Sequence, residues 1–144
     1  MTRERGYWLA VAGDTNCAIL AELGHPYYAL SRAGGKMASA IAAGDHFVLY
    51  RARTRGGFIG VYEAVEPARN APTRVGARTY STRIPWKPLL LCESKPAELA
   101  PLVPKLSFIV NKQRYGSHLQ LHIKRLSRAD FDIIERAVLA NAKT

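Results

Sequence analysis

The chain has 144 residues, of which 48% are hydrophobic, enough for one domain with a real core. It lacks any apolar run of about eighteen residues, so no helix that spans a bilayer is expected. Lys and Arg number 21 against 11 Asp and Glu, a formal net charge of +10, which points to a polyanionic partner and to nucleic acid first. A solvated basic surface that only confers solubility is the alternative.

Two cysteines, Cys17 and Cys92, do not make a disulfide framework. The N-terminus, Met1 to Arg5, leads into a strand without an apolar signal segment. Both features fit a reducing, cytoplasmic setting.

In chain order, Gly6 to Ala12 reads as an apolar strand, and Trp8 within it reads as core rather than as a stacking platform. Asp14 is placed to N-cap a short helix over Thr15 to Leu23, with Ile19, Leu20 and Leu23 as its buried stripe and Gly24 at the left-handed C′ position. His25-Pro26-Tyr27-Tyr28 reads as a loop carrying two aromatics. Ala33 to Ala42 is small and helix-compatible. Gly44-Asp45 then punctuates the chain ahead of a hairpin.

That hairpin organises the rest. His46 to Tyr50 is a run of aromatic and β-branched residues, Thr54-Arg55-Gly56-Gly57 makes a basic turn, and Phe58 to Val65 returns. Period two places Phe58, Gly60, Tyr62 and Ala64 on one face and Ile59, Val61, Glu63 and Val65 on the other. Gly60, lacking a side chain, lets a backbone or a flat ligand approach.

Glu66 to Ser81, with Pro, Gly and Arg and no clear period, reads as a long surface loop. Thr82 to Cys92 reads as a strand, but Pro85 and Pro88 cannot donate to a ladder, so an edge or bulged strand is expected. Trp86, between the prolines, is left open between core and stacking platform. Pro96 to Leu102 suits a helical turn. Leu106 to Val110 is apolar and is followed by a polar, basic loop over Asn111 to Ser117. Leu119 to Arg125 alternates, with Leu119, Leu121 and Ile123 facing in. The last helix has an N-cap in Ser127, a capping-box acid in Asp130, a staple in Leu126 and Phe131, and a buried face of Phe131, Ile134 and Val138.

The sum is an α+β fold of about five or six strands with short helices, its mixed or antiparallel sheet curling into a barrel. The charges are clustered. No acid occurs between Pro67 and Cys92, where Arg69, Arg74, Arg78, Arg83 and Lys87 lie, nor between Leu99 and Ala129. Arg51, Arg53, Arg55, Arg78, Arg83, Lys112 and Arg114 are the candidates for neutralising phosphates, and Tyr115 beside two of them offers a stacking surface.

Catalytic and metal signatures are sparse. His118 and His122 could share a strand face, but two imidazoles without a third ligand do not make a zinc site. Cys17 in a first helical turn could have a lowered pKa, yet a buried, inert thiol accounts for it as well. No phosphate loop, carboxylate pair or nucleophile elbow is present, and no cofactor is implied. An enzyme acting on a nucleotide or modified RNA, and a protein-interaction domain, stand as alternatives to a binding module.

The ordered segments Y-W-L-A-V-A, T-N-C-A-I-L, A-G-D-H-F-V-L-Y-R, G-F-I-G-V-Y-E-A-V, L-S-F-I-V-N-K-Q-R-Y-G and L-S-R-A-D-F-D-I-I-E resemble the EVE domain, a member of the PUA-like superfamily with YTH and ASCH domains. The resemblance covers nearly the whole chain. It implies a PUA-like pseudo-barrel with flanking short helices and a C-terminal helix, and a non-enzymatic nucleic-acid-binding module whose basic groove ends in a pocket for a modified base. On it, Asn16, Ser39, Asn111, Lys112, Arg114 and Tyr115 match pocket or groove positions, with Cys17 and Tyr28 beside them. Cys17 and Tyr115 depart from the pattern, since many relatives carry Trp there, and Tyr27 or Tyr28 would then supply an aromatic wall.

Overall fold

The structure is a computed structural model and describes residues 5–30, 39–52, 57–109 and 123–142. Its elements are β1 (Tyr7–Gly13), α1 (Asp14–Glu22), β2 (Tyr27–Leu30), β3 (His46–Ala52), β4 (Gly57–Ala64), β5 (Arg69–Val75), β6 (Arg78–Leu91), a 3-10 segment (Ala100–Lys105), β7 (Ile123–Leu126) and α2 (Arg128–Ala142). The strands form one curled, mixed sheet in the order β2-β6-β4-β3-β1-β7, with β5 paired to β6. Only β1 and β3 pair in parallel among the described strands. Their connection carries α1 and β2, the long crossover that parallel pairing demands.

The central hairpin is β3 and β4, antiparallel as expected. Its strands are buried on both faces. Trp8, Phe47, Leu49, Ile59, Tyr62 and Trp86 fill one side, while Val48, Phe58, Val61, Leu106, Phe131, Ile134 and Val138 fill the other beneath α2. Strict alternation fails at one point. Leu49 pairs with Gly60 and Tyr50 with Phe58, so Ile59 is an extra residue in the strand. This bulge turns Ile59 to the side of Tyr62 and Phe58 to that of Val61, the reverse of the period-two expectation. Gly60 is closely approached by the chain itself: a Cβ there would meet the Leu90 carbonyl oxygen at 2.9 Å and the Tyr62 ring at 2.9 Å.

Gly44-Asp45 has a specific task. The fully buried Asp45 carboxylate accepts from Gly6 N at 2.9 Å, Trp8 Nε1 at 3.0 Å and Ala42 N at 3.0 Å. It thereby joins β1 to the approach to β3, and Trp8 belongs to the core.

Several expectations are corrected. Residues 66–81 are not a surface loop. Arg69–Val75 and the start of β6 form an antiparallel ribbon that turns at Gly76, whose φ is 64°. The turn chemistry was present, but Pro72 and the arginines masked the strand. Tyr27 and Tyr28 lie in strand β2, not a loop, and pair with Pro85 and Ile84. β6 is not an edge strand: β2 and β5 flank its first half and β4 its second. It is bulged, with Leu89 extra between the pairs of Val61 and Tyr62. Pro85 is tolerated where β6 changes partners, its carbonyl accepting from Val65 N at 2.9 Å. Trp86 is core, with its ring stacked on Tyr62 at a centroid distance of 4.2 Å.

Helix α1 begins at Asp14, so Gly13 and not Asp14 is the N-cap. Leu23, expected in the buried stripe, is 58% exposed, and Cys17 and Leu20 are the buried pair. The helix closes in a Schellman motif: His25 N donates to Leu20 O at 2.8 Å and Gly24 N to Ala21 O at 3.1 Å, with Gly24 at φ 83°. The 3-10 segment falls at Ala100–Lys105, later than the Pro96–Leu102 turn expected. At α2, Ser127 Oγ accepts from Asp130 N at 3.1 Å, and Leu126 and Phe131 are both buried in the same cluster. β7 buries Ile123 as expected, and the Leu119–His122 part of that reading lies outside the described residues. So does most of the Ala33–Ala42 reading, of which Ser39 and Ala40 are an exposed turn.

Candidate nucleic-acid interface

The β5–β6 ribbon gathers the cations of the first acid-free stretch. Along β6 the burial alternates: Tyr80, Thr82, Ile84 and Trp86 point in, while Thr79, Ser81 and Lys87 are exposed and Arg83 is half-buried. Arg69 lies directly opposite Arg83 in the ladder, and Arg74 opposite Thr79. Like charges facing each other across strands repel, an arrangement that an anion laid over them relieves. Nearby carboxylates offset part of the charge: Glu66 holds Arg69 at 2.8 Å, and Glu63 holds Lys87 at 3.4 Å.

The ribbon's tip packs on α1. A Cβ on Gly76 would meet Ile19 Cδ1 at 3.1 Å. Asn16 Nδ2 donates to the Tyr80 hydroxyl at 2.6 Å, and the Arg78 guanidinium lies over the Tyr80 ring, 5.5 Å from its centroid. Asn16 and Arg78, expected in the pocket and on the backbone path, are thus neighbours through Tyr80.

Other expected residues stand deeper or elsewhere. Tyr28 is buried, its hydroxyl donates to Val11 O at 2.7 Å, and burial pushes its ionisation well above the ordinary phenol range. Cys17 is buried, with its thiol directed to Ala12 O at 3.8 Å. These two side chains belong to the core cluster that also holds Trp86 and Tyr62, so in this structure neither presents a face to solvent. Arg51 is half-buried on β3, which β4 separates from β6. Ser39 is exposed. Arg53, Arg55, Asn111, Lys112, Arg114 and Tyr115 lie outside the described residues, as do His118 and His122. The cations of the second acid-free stretch sit at the far end of the strand order, where Lys124 lies 5.9 Å from the Phe108 ring and Arg125 lies 5.4 Å from that of Trp8.

No protein-family model matches the chain. A UPF0310 protein of Pyrococcus abyssi is 26% identical over 142 residues, spanning 90% of this chain and 96% of the relative. Human THYN1, solved in complex with 5-methylcytosine containing DNA, superposes with a TM-score of 0.59 at 12% identity, covering 92% of this chain and 97% of that one. The Mmi1 YTH domain, solved in complex with RNA, superposes with a TM-score of 0.65 at 12% identity, covering 96% of this chain and 83% of that one. The chain has the fold of EVE-like and YTH domains. The curled sheet and C-terminal helix are the PUA-like architecture.

Two groupings are not legible in the sequence. Tyr80 lies in the stretch that reads as a loop, and in sequence its one strand signal is the alternation Tyr80, Thr82, Ile84. The second is a chain of contacts that leads from half-buried Glu93 into the core. His25 Nε2 lies 3.0 Å from Glu93 Oε1, its Nδ1 lies 3.3 Å from the Tyr62 hydroxyl, and Tyr62 stacks on Trp86. Burial first, and then the Glu93 charge, raise the Tyr62 phenol well above its ordinary range. These residues are far apart in sequence, and no local pattern joins them. Among the described residues, no three His, Cys, Asp or Glu side chains group so as to hold a metal ion.

Proposed function

We propose that this EVE-like domain is a non-enzymatic nucleic-acid-binding module that admits one base, carrying a modification, beside Asn16. The sugar-phosphate backbone runs along the β5–β6 ribbon, contacted by Arg74, Arg78 and Arg83. Asn16 and Ser39 contribute to the pocket rim, and Asn111 and Tyr115, with Lys112 and Arg114 next to them, complete the site. Cys17 and Tyr28 support the pocket floor from within the core.

One observation carries this reading: Arg69 and Arg83 are held opposite one another on a ribbon whose stretch, residues 68–92, holds no carboxylate, in a chain of net charge +10. The likeness in fold to a protein solved on 5-methylcytosine containing DNA and to one solved on RNA supports it. Stacking on an aromatic contributes about 1–3 kcal/mol per base, and amide groups read the base edge.

The test is fluorescence anisotropy with short single-stranded DNA and RNA probes, the DNA with and without one 5-methylcytosine, at rising salt. Binding at low salt that weakens steeply as counterions compete is the expected result. Absence of binding to every probe at low salt contradicts the proposal.

A further inference from the structure

Resting on that reading, we infer that Tyr80 is a positioning residue that couples base-edge contact by Asn16 to phosphate contact by Arg78. Tyr80 is 7% exposed, and its two ends do different work. The hydroxyl accepts from Asn16 Nδ2 at 2.6 Å, while the ring carries the Arg78 guanidinium 5.5 Å from its centroid. The packing of Gly76 against Ile19 holds helix and ribbon in one register at this point.

The bonding inventory favours a ligand over a purely structural role. An asparagine amide offers two N–H donors and a carbonyl acceptor. The hydrogen bond to Tyr80 uses one donor, and the side chain makes no other among the described residues. The remaining N–H and the carbonyl form a donor–acceptor pair of the kind a nucleobase edge complements. The Tyr80 hydroxyl proton likewise has no acceptor among the described residues, unlike that of Tyr28, which is spent on the Val11 carbonyl. Arg78 has no carboxylate partner among the described residues. Its guanidinium carbon lies over the tyrosine ring, and its N–H groups are left for a phosphate, which Arg engages through two parallel bonds. Tyr80 thus sets the spacing between base reader and phosphate contact.

The test uses the full chain and a fluorescein-labelled single-stranded DNA containing 5-methylcytosine, with thermal unfolding as the fold control. Tyr80→Phe keeps the ring and removes the hydroxyl. It should weaken binding about fivefold with an unchanged salt slope. Arg78→Ala should lower the slope of log affinity against log salt by about 0.7, one single-strand phosphate. The Asn16→Ala, Tyr80→Phe double variant should bind no more weakly than Asn16→Ala alone, since the two share one interaction. Additive effects of Asn16→Ala and Tyr80→Phe, or an unchanged slope in Arg78→Ala, overturn the inference while leaving nucleic-acid binding intact. Failure of the unaltered protein to bind defeats the underlying reading instead.

Discussion

Asp130 in the first turn of α2 reaches back to Ser107, accepting from its backbone N at 2.9 Å and its hydroxyl at 2.7 Å. The same carboxylate accepts from Phe108 N at 3.2 Å. It therefore ties the start of the helix to the segment that leads into residues 110–122, where Lys112, Arg114 and Tyr115 lie in sequence. Asp130→Ala removes the acceptor of three part-buried hydrogen bonds, and a bond to a charged group contributes about 1.5–3 kcal/mol where water does not replace it. A loss of at least about 2 kcal/mol in denaturant unfolding is expected, together with weaker nucleic-acid binding under conditions where the variant is folded. Unchanged stability would refute this role.

Asp45 is a second buried hub, serving Gly6, Trp8 and Ala42. Asp45→Ala leaves the buried Gly6 and Trp8 donors without this acceptor, and each such group costs about 1–3 kcal/mol. Asp45→Ala should unfold at clearly lower denaturant concentration with a similar slope. Near-native stability of this variant would show that the network is dispensable.

The hydrogen bond from His46, then those from Lys87, hold the Glu63 carboxyl below its ordinary value. A depressed folded-state pKa adds stability that is present above the unfolded value and disappears as the pH falls through the folded one. Acid unfolding should accordingly flatten in Glu63→Gln, with wild type and variant converging at the acid end. Parallel stability curves across the acid range would remove Glu63 from the account.

Arg69 and Arg83 lie opposite each other on the ribbon, and under the proposed function this opposition trades stability for binding. Directly opposed like charges cost roughly 0.2–1 kcal/mol. Arg83→Thr should raise the melting temperature slightly at low salt and weaken nucleic-acid binding. A lower melting temperature with unchanged binding would contradict both halves.

What the sequence made legible was local. Ser127, Leu126 and Phe131 announced α2, and Gly24 announced the end of α1, because caps and staples act within one turn. The hairpin was legible because aromatic and β-branched residues bracket a glycine turn. The ribbon was not, since Pro72 and several arginines outweighed the alternation of Tyr80, Thr82 and Ile84. The Ile59 bulge escaped as well, because partner strands and not the strand itself set it. Asp130 fits a capping-box acid in sequence, yet its carboxylate serves Ser107 and Phe108, a choice only tertiary contacts make. At the site, Asn16 and Arg78 were each picked out separately, but the tyrosine that joins them became visible only once the ribbon was folded onto α1.

The account turns on the cationic ribbon as the seat of a nucleic-acid strand. The most direct measurement is a salt titration of single-strand binding by wild type and by the Arg74→Ser, Arg78→Ser, Arg83→Ser triple variant. Loss of three phosphate contacts should lower the slope of log affinity against log salt by about 2. A triple variant that binds with the wild-type affinity and slope would place the nucleic acid elsewhere and contradict the central claim.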